Sequence, residues 1–447
     1  MSFETPKYSI IIPTFERSNL LGDTVDGCLL QNHDNFEILV SNNYSQDETA
    51  FVLSKYSGNP KIRIVETEKK LSMQDHFLFA MNHSKGQYIL FLGDDDGVSP
   101  ELFNHLDEII EKSSANLIKF KSSLYYHNDW LGVENNTLHF NPRFTGEYFS
   151  VSIDEVIRSY CDFTEYQFFP NLLHSVFSRE LFEQAQRTVP HMFVGAPDHS
   201  CPFILLAQPN ARLCYVDWVL GYGGRSEKSN AAFYAAKEKG RQTHRSQARH
   251  TEWASEMTAD TCLPHHEPNI NVPGNFVPAA FSYAKFFFTE RLKSFQLNPY
   301  KLSQIIQIDI TNCLCGRRTP WHTSAEVENF RKFVLTHLGK LEQAAIFGMA
   351  GGFSFVGQLK LLLKKAYFLV FSILQKLSVF NIDLYRTNQA QRRVFGLKID
   401  LKAKSIRTSR ELVIAFDTLI KDGQVKGALP SDLSRNSSLQ LLGCLDK

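Results

Sequence analysis

Tyr88-Ile-Leu-Phe-Leu-Gly-Asp-Asp-Asp96 is the stretch on which the fold turns. Five apolar residues end at one glycine and three consecutive carboxylates. A buried strand ending this way stacks like charges that disfavour one another's ionisation. A hard divalent cation, which takes oxygen ligands, relieves that repulsion. In open α/β sheets, ligands sit beyond the carboxyl ends of the strands. A solvated acidic turn before a helix at Pro100 accounts for the triplet equally well, because acids favour helix N-termini. Taken alone, the triplet leaves these two readings even.

The surrounding sequence repeats a strand–helix pattern. Tyr8 to Pro13 (YSIIIP) is nearly continuously apolar, as expected for a strand buried on both faces. Ser18 can cap a helix with Leu20, Leu21, Val25, Cys28 and Leu29 on one side. Further strands are expected at Phe36–Ser41, Ile62–Val65, Tyr88–Leu92, Ala115–Tyr126 and Ala211–Trp218. Helices are expected at Asp47–Tyr56, Leu71–His83 and Pro100–Glu111. Four such units in about 110 residues predict a mostly parallel sheet with helices on both faces. Right-handed crossovers then place the β-to-α loops on one edge. Thr14-Phe-Glu-Arg17, Asn42-Asn43 and Asp94-Asp95-Asp96 should therefore converge, which favours a site over an acidic turn.

The totals are those of a folded chain of 447 residues, 43% hydrophobic and 13% aromatic. A net charge of +1 gives no argument for nucleic acid as a partner. The eight cysteines contain no CxxC pair, so a zinc site of ordinary spacing is not expected, and reduced, buried thiols in a cytoplasmic protein are. Met1–Lys7 lacks the pattern of a signal peptide, and no apolar run reaches the roughly 20 residues that span a bilayer.

Three ordered segments resemble the family-2 glycosyltransferases: Ser9-Ile-Ile-Ile-Pro-Thr-Phe-Glu-Arg17, Ile38-Leu-Val-Ser-Asn-Asn-Tyr-Ser-Gln-Asp-Glu-Thr49, and Ala80 through Pro100. The resemblance covers roughly residues 7 to 230. It implies the GT-A fold, a Rossmann-like α/β sheet, and transfer of a sugar from a nucleotide-sugar donor, most often a UDP-sugar. The Gly-Asp-Asp-Asp turn is similar to that of bacterial enzymes that build capsule, O-antigen and other surface polysaccharides. By resemblance, Pro13, Thr14, Glu16 and Arg17 line the nucleotide, together with Asn42, Asn43 and Asp94. Asn42 stands where the family commonly has an aspartate that pairs with the base. Gly93-Asp94-Asp95 overlies the DxD motif with its first acid missing. Asp95 is then the metal ligand, with Asp94 or Asp96 completing the contact to Mn2+ or Mg2+. The family's catalytic base is an aspartate opening a later helix, and Asp198, after Gly195-Ala-Pro197, fits; the alternative is an ordinary helix-capping acid. Arg225, in Gly221-Tyr-Gly-Gly-Arg225, offers charge to the diphosphate from what reads as a glycine-rich loop. His191 and His199 flank Asp198 and read as structural. The QxxRW motif of processive synthases is missing, implying one sugar per encounter.

Residues 1–230 thus read as a catalytic domain, 231–260 as a basic linker, 261–430 as a mainly α-helical C-terminal domain, and 431–447 as a tail. Within the helical half, 324–347 is amphipathic. Residues 353–384 set aromatic and aliphatic bulk beside lysines, a pattern suited to a membrane interface or to burial against a partner copy. A lipid-linked oligosaccharide acceptor and a place on the inner face of the cell membrane would agree with the first of these. Two other functions share some of these features. A nucleotidyltransferase would normally carry a glycine-rich basic loop after strand one, which Thr14-Phe-Glu-Arg17 is not. An inactive sugar-nucleotide-binding or scaffold subunit would tolerate Gly93 and Asn42.

Overall fold

The computed structural model describes residues 5–130, 135–164, 167–227, 229, 273–298, 301–302, 305 and 397–427. The basic linker, the helices expected at 324–347 and 353–384, and the tail lie outside the described residues. Among the described residues, no helix is long and apolar enough to cross a membrane.

Strands β1 (Tyr8–Thr14), β2 (Phe36–Asn42), β3 (Ile62–Glu66) and β4 (Tyr88–Phe91) run parallel in the order β3-β2-β1-β4. Ile10 lies beside Ile38 on one flank and Leu90 on the other. Strand β9 (Ser175–Ser178) enters antiparallel between β4 and β6 (Leu117–Tyr126), so β6 points the same way as β4. The long strand β10 (Leu213–Arg225) pairs parallel with β6. It also pairs antiparallel with the short strands β5 (Gly97–Val98) and β8 (Tyr148–Val151). The carboxyl ends of β1, β2, β4, β6 and β10 therefore share one edge.

Alternation along the strands supplies both faces, as expected for a sheet sandwiched by helices. Ile10, Ile12, Leu90 and Leu92 pack with α1 (Ser18–Cys28) and α4 (Leu102–Ser113). Ile11, Ile89 and Phe91 face α3 (Met73–His83), α5 (Ile153–Cys161), α6 (Arg179–Gln186) and α7 (Pro197–Leu206). Each fully buried Ile, Leu or Phe contributes about 1.5–3 kcal/mol. Most expected boundaries fall within a few residues of these elements; the helix expected at Asp47–Tyr56 is a shorter α2, Thr49–Ser54, and the strand expected at Ala211–Trp218 runs on to Arg225.

Two differences matter for the site. The glycine-rich stretch at 221–225 is not a loop but the end of β10, in register with Ser122–Tyr126 of β6. Gly224 is required because this strand presses against the aspartate turn, where a Cβ would fall on the Asp95 carbonyl oxygen. The described part of the C-terminal half also packs on the sheet domain. Helix α8 (Pro273–Phe287) lies on α7, with Phe281 edge-on to Phe203 at 5.8 Å. Strand β11 (Leu397–Asp400) extends the sheet by pairing with β7 (Thr137–Phe140). Helix α9 (Ser409–Gly427) buries Leu412, Val413 and Phe416 beside Tyr222 and Tyr125.

Candidate functional site

Asp94, Asp95 and Asp96 are all buried, with 4–6% of their surface exposed. A carboxylate costs several kcal/mol to bury unless it is paired or hydrogen-bonded, and each of the three is satisfied differently. Asp94 accepts the Thr14 hydroxyl at 2.7 Å and faces Arg17 Nε at 3.0 Å. Asp95 pairs with Arg17 Nη2 and accepts the Ser226 hydroxyl at 3.0 Å. Asp96 folds back on the backbone, accepting the Gly93 amide at 2.9 Å and the Gly224 amide at 2.7 Å. The turn is fixed from outside by Thr24, which donates to the Asp94 carbonyl at 2.9 Å, and by His127 Nε2, 2.9 Å from the Asp95 carbonyl.

These surroundings separate the acids electrostatically. Burial and then the charge of Asp95 raise the Asp96 carboxyl to about 7, against the pull of its two amides. Burial also acts to raise Asp95, but Arg17, His127 and Ser226 outweigh it and hold the group below the usual range. Burial acts to lower Arg17, and Asp94 and Asp95 outweigh it, so the guanidinium stays charged. Glycine at 93 has a local cause: a Cβ there would lie 2.7 Å from Asp96 Oδ2. The Asp96 carboxylate fills the space a side chain at 93 would need.

The loops after β1 and β2 brace each other. Glu16, in the left-handed region at φ 58°, accepts the Gln46 amide at 2.7 Å, and its own amide donates to Ser45 Oγ at 2.9 Å. Asn42 donates to Glu66 Oε1 at 3.1 Å and accepts the Ser45 amide at 3.1 Å. Asn43 donates to the Leu71 carbonyl and accepts the Leu71 amide, both at 2.9 Å, which staples the 67–71 turn. Pro13 sits opposite Ser41 in the β1–β2 ladder. Thr14, Glu16, Arg17, Asn42, Asn43 and the aspartates therefore do meet on one edge.

Asp198 reaches the same edge from α7. It is the second helical residue, behind the N-cap Ala196 and Pro197, so it does not occupy the capping position. Burial and then Asp96 raise its carboxyl to about 6, while Arg225 and Lys119 oppose the rise. Lys119, on β6, is lowered to about 8 by burial, with Asp198 acting the other way. His174, 3.5 Å from Asp96 Oδ2 and 3.0 Å from the Tyr222 carbonyl, is lowered to about 3 by burial and then Lys119. His199 stacks on Phe169 at 5.7 Å and is lowered to about 4 by burial, a structural role. His191 is exposed, and its backbone, not its ring, bonds Tyr283. Thr24, Lys119, His127, His174 and Ser226 are not singled out by the sequence. Only Lys119 carries a signal there, as a cation inside the apolar run Leu117-Ile118-Lys119-Phe120.

Fold and site together define an α/β domain with an acidic turn at the carboxyl edge of its mostly parallel sheet. Residues 9–164 match the family model "Glycosyl transferase family 2". A putative teichuronic acid biosynthesis glycosyltransferase, TuaG, from Bacillus subtilis is 28% identical over 112 residues, covering 25% of this chain and 44% of its own. The GalNAc(5)-diNAcBac-PP-undecaprenol beta-1,3-glucosyltransferase of Campylobacter jejuni is 26% identical over 161 residues, covering 33% and 51%. The chain spans about half the length, or less, of the curated relatives it matches. Among solved structures, Staphylococcus aureus TarS 1-349 in complex with UDP-GlcNAc aligns over 76% of this chain and 92% of its own, at 13% identity and a TM-score of 0.41.

Proposed function

We propose that the chain is an inverting glycosyltransferase that moves a sugar from a nucleoside-diphosphate sugar to a hydroxyl of a growing bacterial surface glycan. The observation that carries this reading is the meeting of Asp198 with the aspartate turn. A carboxylate raised to about 6 lies within electrostatic reach of Asp96, Arg225 and Lys119. A general base is most effective with a pKa near the working pH. Asp198 would take the proton from the acceptor hydroxyl as that oxygen attacks the anomeric carbon. Arg225 and Lys119 would face the charge gathering on the departing diphosphate. Thr14, Glu16 and Asn42 would line the nucleoside, with Glu66, held by Asn42, bringing a carboxylate back to the region where the family's aspartate is missing.

The residues also fit a divalent ion. Asp94 and Asp95 present hard oxygens to one cationic group, Arg17. Among the described residues, no group of three or more His, Cys, Asp or Glu is arranged to hold an ion alone. Mg2+ and similar ions in phosphate chemistry take one or two carboxylates and complete their shell with phosphate oxygens and water. Asp95 and Asp94 are therefore the fitting pair, and Asp96, turned back onto two amides, is not. A bound ion would offset charge on the leaving diphosphate. The names of the relatives from Bacillus and Campylobacter support a surface-glycan acceptor and, in the second case, a polyprenyl-linked one. A nucleotide-sugar panel incubated with Mn2+ and a polyprenyl-linked oligosaccharide tests the reading. Nucleoside diphosphate release with an inverted anomeric configuration by NMR is expected; a retained configuration contradicts the Asp198 role.

A further inference from the structure

We propose that Arg17 is the resident counter-cation of the aspartate turn, competing with the divalent ion for Asp94 and Asp95. Loading the ion together with a nucleoside diphosphate would move the guanidinium from the carboxylates to the diphosphate. The inference rests on the metal-dependent reading above and adds a positioning residue to it.

Arg17 is placed where positive charge is most favourable in this cleft. Its side chain is 13% exposed, its Nε lies 3.0 Å from Asp94 Oδ1, and its Nη2 pairs with Asp95 Oδ2. The same Nη2 donates to Ser226 Oγ at 2.9 Å, and Ser226 in turn donates to Asp95 Oδ2 at 3.0 Å. One oxygen of Asp95 thus receives two donors in a closed ring of three residues. An ion that takes Asp94 and Asp95 as ligands must displace the guanidinium, since two cations cannot share these oxygens without repulsion. A freed guanidinium is suited to phosphate, which it binds through two parallel N–H donors. Arg17 is also the residue before α1, with a backbone outside the left-handed region and no capping duty for its side chain. Its side chain can therefore turn without disturbing the helix.

The test is Mn2+ binding to nucleotide-free protein, read by the EPR signal of free Mn2+, for wild type, Arg17→Gln, Arg17→Lys and Asp95→Asn. Removing one competing unit charge at contact distance should let Arg17→Gln bind Mn2+ about tenfold or more tightly. Mn2+ should also raise its melting temperature more than that of wild type. At saturating Mn2+, the same variant should bind UDP or GDP more weakly than wild type. Arg17→Lys keeps the charge on a group that cannot bridge both acids, so it should move Mn2+ affinity the same way by a smaller factor. It serves if Arg17→Gln does not fold. Unchanged or weaker Mn2+ binding in a folded Arg17 variant overturns the proposal, as does Mn2+ binding that survives Asp95→Asn. If wild type binds no nucleoside diphosphate while the Mn2+ arm behaves as stated, the glycosyltransferase reading fails and the competition at Arg17 stands.

Discussion

Replacing Gly224 by alanine tests the packing that shapes the acidic turn. Its Cβ would fall on the Asp95 carbonyl oxygen, 2.6 Å from the carbonyl carbon and 2.9 Å from His127 Nε2. Carbon atoms pack at about 3.5–4.0 Å, so strand β10 and the turn must separate by about 1 Å. Overpacking of this kind costs about 1–3 kcal/mol, and here the neighbour is backbone, which cannot rotate away. The shift also strains the bonds from the Gly224 amide to Asp96 and from His127 to Asp95, each worth about 0.5–1.5 kcal/mol. The total is about 2–6 kcal/mol, or a fall in melting temperature of about 10 °C for a domain of this size. Gly223→Ala is the control. Its Cβ would meet nothing closer than His174 Cε1 at 3.4 Å, an ordinary contact, so a change within about 0.5 kcal/mol is expected. Melting curves of the two variants beside wild type decide the matter. Equal melting temperatures for Gly224→Ala and Gly223→Ala would refute the close approach of β10 to Asp95.

Asp198→Asn should keep nucleotide affinity and lose transfer by about 10²–10⁴-fold, the usual contribution of a general base; parallel loss of both would make Asp198 a binding or folding residue. Because the Asp198 carboxyl is raised to about 6, transfer in the wild type should fall as pH drops through 6, and a flat profile from pH 7 to 5 would contradict its role. His76 is buried, bonded to Ser41 Oγ at 2.9 Å, and lowered by burial to about 4 from 6.5. The unfolded chain takes up that proton first, so stability is full above 6.5 and lost as pH falls towards 4, by about 1.4 kcal/mol per pH unit at most. Urea midpoints at pH 7 and 5 should therefore differ less in His76→Gln than in wild type; an unchanged difference would exclude His76 as a source. Gly93→Asp restores the family's missing first acid, yet its Cβ would lie 2.7 Å from Asp96 Oδ2. It should weaken Mn2+-dependent nucleotide binding, and a gain in affinity would show that Asp96 does not need that space.

The mostly parallel sheet and the convergence of its loops were legible because short, largely apolar strands alternate with helical stretches and end in polar residues. The position of Asp198 in the first turn of an apolar helix was legible from Pro197 and the apolar run that follows. The glycine run at 221–225 was not. Glycines signal turns by default, and only the three-dimensional pairing with β6 makes them strand residues here. The individual roles of the three aspartates were also hidden. Adjacent identical side chains look alike in sequence, whereas Arg17 and the Gly224 amide, both distant in the chain, separate them. Lys119 gains meaning only in three dimensions, where β6 brings it within electrostatic reach of Asp198.

Asp95 is the residue on which metal-dependent nucleotide binding should turn. Calorimetric titration of UDP, GDP and their sugar conjugates into wild type and Asp95→Asn, each with and without Mn2+, measures its claim. The account predicts that at least one nucleotide binds wild type more tightly with Mn2+ than without, and that Asp95→Asn loses this gain while still melting cooperatively. A folded Asp95→Asn variant that retains the full Mn2+-dependent gain would contradict it.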